Sequence, residues 1–340
     1  MPGPEDTIRP SAVVMFDAIF LGGRRTGSLQ MSVEWAWIGP QRPVHLPDSG
    51  IFLRAEGGCR VLLLHGLTGS PTELGYIAYH LQYRGGYAVE CPRLVNHGQA
   101  LGILARTRWT ELYDSARNAF LNARHAAREA GVPLVIGGLS LGAVLCLMLA
   151  AEYPDDVAGV ACLSPTLFYD GWNVPWLHKL IPIVAYTPLK YFSYFREEEP
   201  FGLRDEVLRQ KVAATYQSAS LHETGDSAAL GYAHFPVRLF CEMRHLISRC
   251  KRILPQVACP VLLIQAEHDD MTRPRNSQYI FDRVSSSWRE LILLKQSYHV
   301  VTADLERAAV AAHLQRFCGS VIDLRTVPGQ EPTEIADLDA

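Results

Sequence analysis

Apolar and polar positions fall in alternating blocks along this chain. Short β-branched or Leu-rich runs recur at 60–64, 87–90, 133–136, 157–163, 260–265 and 290–294, with segments long enough for helices between them. Strands that read as continuous apolar runs are buried on both faces. Their alternation with helices predicts an α/β protein with a mostly parallel, doubly wound sheet. A first helix is signalled at 70–81 by Ser70 as N-cap, Pro71 at the first position and Glu73 closing a capping box. Trp109, Leu112, Ala116, Ala119, Phe120 and Ala123 recur at helical spacing, which predicts a long amphipathic helix over 107–130 lying on the sheet. A shorter apolar helix is expected at 143–151, and a last one from about Ala303.

The alternation breaks between about Pro165 and Arg252. Nine aromatic residues crowd the 28 positions from Phe168 to Phe195, including Trp172, Trp176 and Tyr186, and prolines punctuate them. So many large apolar groups must cover something, because burying each is worth roughly 1.5 to 3 kcal/mol. The expected organisation is an N-terminal extension over 1–48, a core formed by 49–164 and 253–318, and a lid at 165–252 over the strand ends, where open α/β sheets bind ligands. Trp172, Trp176 and Tyr186 are then expected to bind substrate. Residues 319–340, polar and acidic from Asp323 onward, are expected to form a mobile tail.

Composition narrows the partner. The chain is 48% apolar and 20% charged with a net charge of −3, so nothing in its charge would draw in nucleic acid or an anionic membrane surface. A small, roughly neutral substrate is expected. The eight cysteines show no C-x-x-C spacing and several sit in apolar runs, which reads as buried thiols in a reducing compartment. The apolar stretch 12–23 is interrupted by Asp17 and follows acidic residues, a poor fit to a signal peptide, and no run reaches the roughly 18 apolar residues of a membrane span. A cytoplasmic location is expected, with no integral membrane segment, no cofactor and no metal.

The chemistry concentrates at four places. Gly138-Leu-Ser-Leu-Gly142 is a G-x-S-x-G pattern set between an apolar strand and an apolar helix, which would hold Ser140 on a sharp strained turn with its oxygen exposed. A serine hydroxyl is a weak nucleophile and needs a base, and the base needs an acid to orient it. Of twelve histidines, His299 lies in the loop after the last apolar run, the position that chain order Ser, acid, His requires; His65, His97 and His268 are rivals near strand ends. The strand at 261–265 runs into Ala266-Glu-His-Asp-Asp-Met271, offering Glu267, Asp269 and Asp270 as the acid, the unused ones being solvated loop charges. Leu62-Leu-Leu-His-Gly-Leu-Thr-Gly-Ser70 ends the first strand run in a glycine turn that would aim the Leu67 amide at an oxyanion, opposite the Leu141 amide.

These segments resemble the α/β-hydrolase superfamily, most closely its bacterial carboxylesterase and monoacylglycerol lipase branch. The likeness covers about 49–317 and rests on ordered matches: Leu62 to Ser70 to the branch's L-L-L-H-G-F-T-G-S segment, Gly138 to Gly142 to G-L-S-L-G, Gln265 to Met271 to its Q-A-x-x-D acid loop, and Ser297 to Val300 to S-G-H-V. Asn96 replaces a glycine in a fifth segment, Pro92 to Gly98, that resembles P-x-L-x-G-H-G. The resemblance implies the α/β-hydrolase fold and puts Asp269 on the acid position; Tyr298 departs from it, replacing the common glycine beside the base, and is expected as a substrate contact. The resemblance also implies cleavage of an ester with an apolar acyl group through an acyl-enzyme. Thioester hydrolysis and acyl transfer would use the same residues, and a peptidase or a non-catalytic binder is a remoter expectation. No acidic cluster for a substrate amine is evident, Glu197 to Glu199 reading as a solvated run.

Overall fold

The computed structural model describes residues 33–35, 50–174, 187–191, 193–218 and 231–326. In chain order the strands are β1 (Val33–Trp35), β2 (Ile51–Leu53), β3 (Arg60–Leu64), β4 (Ala88–Cys91), β5 (Leu134–Leu139), β6 (Val157–Leu163), β7 (Ser193–Arg196), β8 (His234–Pro236), β9 (Val261–Ala266) and β10 (Arg289–Leu294). The α-helices among the described residues are α1 (Gly75–Gly85), α2 (Leu101–Leu104), α3 (Trp109–Ala130), α4 (Leu141–Glu152), α5 (Glu206–Ser218), α6 (Val237–Ile253), α7 (Arg275–Phe281) and α8 (Arg307–Thr326). Seven strands form one sheet in the order β10-β9-β6-β5-β3-β4-β2, parallel except for β2. This is the expected doubly wound α/β architecture. The edge strand β2 has no counterpart in the sequence pattern, since three residues are too few to show a period.

The alternation of side chains along each strand divides the core in two. Leu62 and Leu64 of β3 point into one apolar cluster and Val61 and Leu63 into the other; β5 divides the same way between Ile136 and Val135. Helices α3, α4 and α6 cover the first face, and α1 and α8 the second. Helix α4 is buried at every position from Leu141 to Ala150, because it is enclosed between the sheet and α6. Helix α6 falls within the stretch that breaks the strand–helix alternation, yet Leu239, Met243, Leu246 and Cys250 join the core beneath it.

Three details differ from the sequence reading. The first helix opens as a 3₁₀ turn at Pro71–Leu74, with Ser70 Oγ accepting the Thr72 N–H, and Glu73 closes no capping box. Helix α8 runs through Thr326 with Val321 buried, so residues 319–326 of the expected tail are helical; residues 327–340 lie outside the described residues. A second, antiparallel sheet in the order β1-β7-β8 joins residues of the N-terminal extension to the stretch between β6 and β9, pairing Val33 with Phe195. Trp176 and Tyr186 lie outside the described residues.

Candidate active site

Register alone brings the four motifs together. Leu64 at the end of β3 pairs with Gly138, Leu139 with Leu163, Leu163 with Ile264, and Ala266 with Leu294 at the end of β10. The loops that leave these strands therefore open side by side at the carboxyl ends of the strands, where parallel sheets place their ligand sites.

Ser140 sits between β5 and α4 at φ 56° and ψ −109°, a left-side conformation that costs a non-glycine residue and persists only where packing dictates it. The flanking glycines are the reason it can form. A Cβ on Gly142 would overlap the Leu64 carbonyl, and one on Gly138 would fall 2.7 Å from the same oxygen. Among the described residues, the hydrogen-bond partner of Ser140 Oγ is Thr166 Oγ1, at 2.8 Å. Thr166 is buried in the loop after β6, and no sequence motif singled it out.

His299 is buried, and its Nδ1–H donates to Asp269 Oδ2 at 2.9 Å, which leaves Nε2 as the free basic nitrogen. Asp269 accepts hydrogen bonds from the backbone N–H groups of Met271 and Thr272, both at 2.8 Å, and from Gln265 Nε2 at 2.7 Å. Ser277 Oγ donates to the other end of the Gln265 amide, so the carboxylate is oriented by a buried chain of side chains. Burial works against the imidazolium of His299, but the Asp269 carboxylate beside it, with Asp270 and Glu73 further off, holds its pKa above the usual 6.5.

Asp270 is fully buried, not a solvated loop charge. It accepts the N–H groups of Gly202 and His299, both at 3.2 Å, and burial beside Asp269 pushes its carboxyl up to about 6. Glu267 is the exposed member of the three. The base loop is tied down further by Val300 N–H donating to Gly202 and Tyr298 N–H donating to Asp304.

Of the rival histidines, His268 is exposed and His65 and His97 brace the turn after β3. His65 donates through Nδ1 to the Gly66 carbonyl at 2.9 Å and accepts the Leu94 N–H at Nε2, while His97 Nε2–H donates to the Leu67 carbonyl at 2.7 Å. Burial holds both imidazoles below their ordinary pKa, so they serve as neutral hydrogen-bonding groups. Asn96, where the resembling segment has glycine, takes φ 62°, a conformation that asparagine tolerates better than most residues. Leu67 and Leu141 both border the serine: Leu67 lines the cavity beside it, and Leu141 opens α4, so its N–H has no carbonyl one turn earlier in the helix.

In front of Ser140 lies a cavity of about 240 Å³. Its apolar wall comes from Phe201, Leu203, Leu208, Val212, Phe235 and Phe240, with Tyr169 and Val300. This differs from the expected lining. Trp172 is half exposed, donates its indole N–H to the His268 carbonyl and meets Tyr298 edge to face at 5.6 Å, and neither ring borders the cavity. Two carboxyls open into the cavity that sequence reading missed or misread. Glu73 accepts the Gly66 N–H, and burial pushes its pKa up to about 7. Glu197, read as part of a solvated run, is hydrogen-bonded to the Tyr216 hydroxyl and is pushed up to about 8, first by burial and then by Asp270.

With this geometry in view, the comparisons with known proteins converge. The profile described as "Serine aminopeptidase, S33" matches residues 58–306. The chain belongs to this family. It is 25% identical over 270 residues to the thermostable monoacylglycerol lipase of Bacillus sp. (strain H-257), covering 79% of this chain and 94% of that one. It is 21% identical over 263 residues to the carboxylesterase of Bacillus subtilis (strain 168), covering 77% and 93%. Among solved structures it superposes on a chain described under "LipS and LipT, two metagenome-derived lipolytic enzymes", with TM-score 0.64, 23% identity and coverage of 80% and 98%. A soluble variant of monoglyceride lipase from Saccharomyces cerevisiae gives TM-score 0.66 at 16% identity, covering 83% and 96%. The fold of this S33-family chain is therefore the α/β-hydrolase fold, and the protein is a hydrolase. Among the described residues no helix is long and apolar enough to cross a membrane. All eight cysteines are free thiols, seven of them buried.

Proposed function

We propose that this protein is a serine esterase acting on carboxylic esters with an apolar acyl group. The observation that carries this reading is the meeting of Ser140, the His299–Asp269 pair and the Leu67 and Leu141 segments at one mostly apolar cavity. Ser140 Oγ turns from Thr166 to attack the carbonyl carbon, and His299 Nε2 takes its proton. Asp269 keeps the second ring nitrogen as the donor and stabilises the imidazolium. The carbonyl oxygen becomes an oxyanion facing the two backbone amides, each worth about 2.7 to 4 kcal/mol in such sites. His299 then returns the proton to the leaving alcohol, and water repeats the attack on the acyl-enzyme with the same base. The relatives named for lipase and carboxylesterase activity support the ester class. The test is turnover of p-nitrophenyl esters of rising chain length, with fluorophosphonate labelling mapped to Ser140. An unlabelled Ser140 in an active preparation would remove this reading.

One observation favours a second reading, hydrolysis of an amide or ester that carries a free amine. Glu73 and Glu197 face the cavity, and a buried ammonium group would find in them the partners that burial of a cation demands. Aminoacyl p-nitroanilides assayed beside neutral esters separate the two: a preference for the amine-bearing substrates of a hundredfold or more in kcat/KM would favour the second.

A further inference from the structure

The turn after β3 contains two glycines, Gly66 and Gly69, and glycine backbones rotate at little cost. A donor amide on such a turn is useful only if its peptide plane is held before the reaction begins. The structure holds that plane at consecutive points. The Gly66 carbonyl, in the same peptide as the Leu67 N–H, accepts from His65 Nδ1 at 2.9 Å, and the Leu67 carbonyl accepts from His97 Nε2 at 2.7 Å. The preceding anchor is Glu73. Its Oε1 accepts the Gly66 N–H at 2.5 Å, and its carboxyl fills the space that a Cβ on Gly69 would occupy. Glu73 reaches this place because Pro71 starts a 3₁₀ turn that folds the chain back beneath the loop.

We propose that Glu73 is a positioning residue of the oxyanion hole, its carboxyl lying under the Gly66–Gly69 turn and holding the Gly66 amide so that the adjoining Leu67 N–H points at the reacting oxygen. The inference rests on the esterase reading above. A charged carboxylate so near an oxyanion would oppose it. Burial disfavours that charge and pushes the Glu73 carboxyl up to about 7, and a neutral carboxyl still accepts the N–H through its carbonyl oxygen. The side chain is therefore built as an acceptor before it is a charge, and glutamine has the same acceptor at the same reach.

The test compares wild type, Glu73→Ala and Glu73→Gln on p-nitrophenyl butyrate and with a trifluoromethyl ketone, whose addition to Ser140 creates a stable oxyanion. Removing a whole oxyanion donor costs about 10²- to 10³-fold in kcat. Loss of a support is expected to cost Glu73→Ala roughly 10- to 100-fold in kcat with KM changed less than about threefold. Affinity for the ketone should fall by the same factor, and Glu73→Gln should recover most of both. Melting temperatures keep a folding defect separate. Unchanged kcat in folded Glu73→Ala, a loss confined to KM, or Glu73→Gln as impaired as Glu73→Ala would each overturn the role. A wild type neither active on the ester nor labelled at Ser140 would instead overturn the esterase reading, and this inference with it.

Discussion

At the scale of single residues, the candidate site separates side chains that sequence alone made equivalent. Asp269 and Asp270 are neighbours at the end of β9 and both are buried, but Asp269 faces the His299 ring and Asp270 the backbone of Gly202 and His299. Asp269→Asn is expected to lower kcat by on the order of 10⁴, because the amide would favour the wrong imidazole tautomer. Asp270→Asn keeps one acceptor oxygen and leaves one N–H poorly matched, a cost of about 1 to 3 kcal/mol that should show first in melting temperature. Steady-state kinetics and thermal melts of the two variants check this; a larger kcat loss for Asp270→Asn would shift the acid by one residue. Ser140→Ala should abolish fluorophosphonate labelling while the protein stays folded, checked by mass spectrometry of the labelled chain. A pH profile follows from His299. The base must be neutral to accept the serine proton and its pKa is raised, so kcat/KM should fall as pH drops through a midpoint above 6.5. In Asp269→Asn that midpoint should move down, since the nearest raising charge is gone.

The elements explain why those residues can meet. Helix α4 is apolar on every side, a pattern that in isolation fits a core helix or a membrane-facing one, and α6 resolves it by covering the side away from the sheet. Leu246→Ala on α6 removes a fully buried side chain and is expected to cost about 2 to 5 kcal/mol, while kcat of the folded fraction stays near wild type. Denaturant melts and active-site titration read the two effects separately. At the turn between β5 and α4 the tolerance is smaller. Gly142→Ala places a methyl group against the Leu64 carbonyl, so strand, turn and helix cannot keep their approach. Loss of both labelling and thermal stability is the expected outcome, and a folded, active Gly142→Ala would show that the turn is less constrained than its packing indicates.

At the scale of the whole molecule, the cavity is walled by residues spread from Gly66 to Ala303, and its apolar side comes chiefly from Phe201 onward. Acyl chain-length preference is therefore argued at Phe240 and Leu208. Phe240→Ala should raise KM for octanoate or longer esters well above its effect on acetate, leaving kcat on acetate nearly intact. Trp172→Ala, half exposed and outside the cavity, should leave the chain-length profile unchanged. Profiles across p-nitrophenyl acetate to decanoate test both, and a shifted profile in the tryptophan variant alone would move the acyl site outward.

The parallel sheet, the long helix at 109–130 and the Ser140, His299 and acid-loop positions were legible in the sequence, because each depends on local pattern: buried strands read as apolar runs, and G-x-S-x-G needs its small residues within five positions. What local pattern cannot carry is contact between distant segments. Glu73 looked like a helix-capping residue because capping is a property of the four residues around it, whereas its acceptor role depends on a turn seven positions earlier. Glu197 looked solvated because three consecutive glutamates usually are, and only the packing of Tyr216 and the cavity wall encloses it. The aromatic crowding called for burial but could not say of which rings or against what: among the described residues Tyr194 and Phe195 are buried, Phe195 with Phe235 and Phe240 in a small cluster, Phe168 meets Lys251 and Arg275, and Trp172 stays half exposed beside Tyr298. Hydrophobicity is non-directional, so the sequence by itself called for cover over these groups, and the tertiary structure alone decided which of the described ones are buried and which border the cavity.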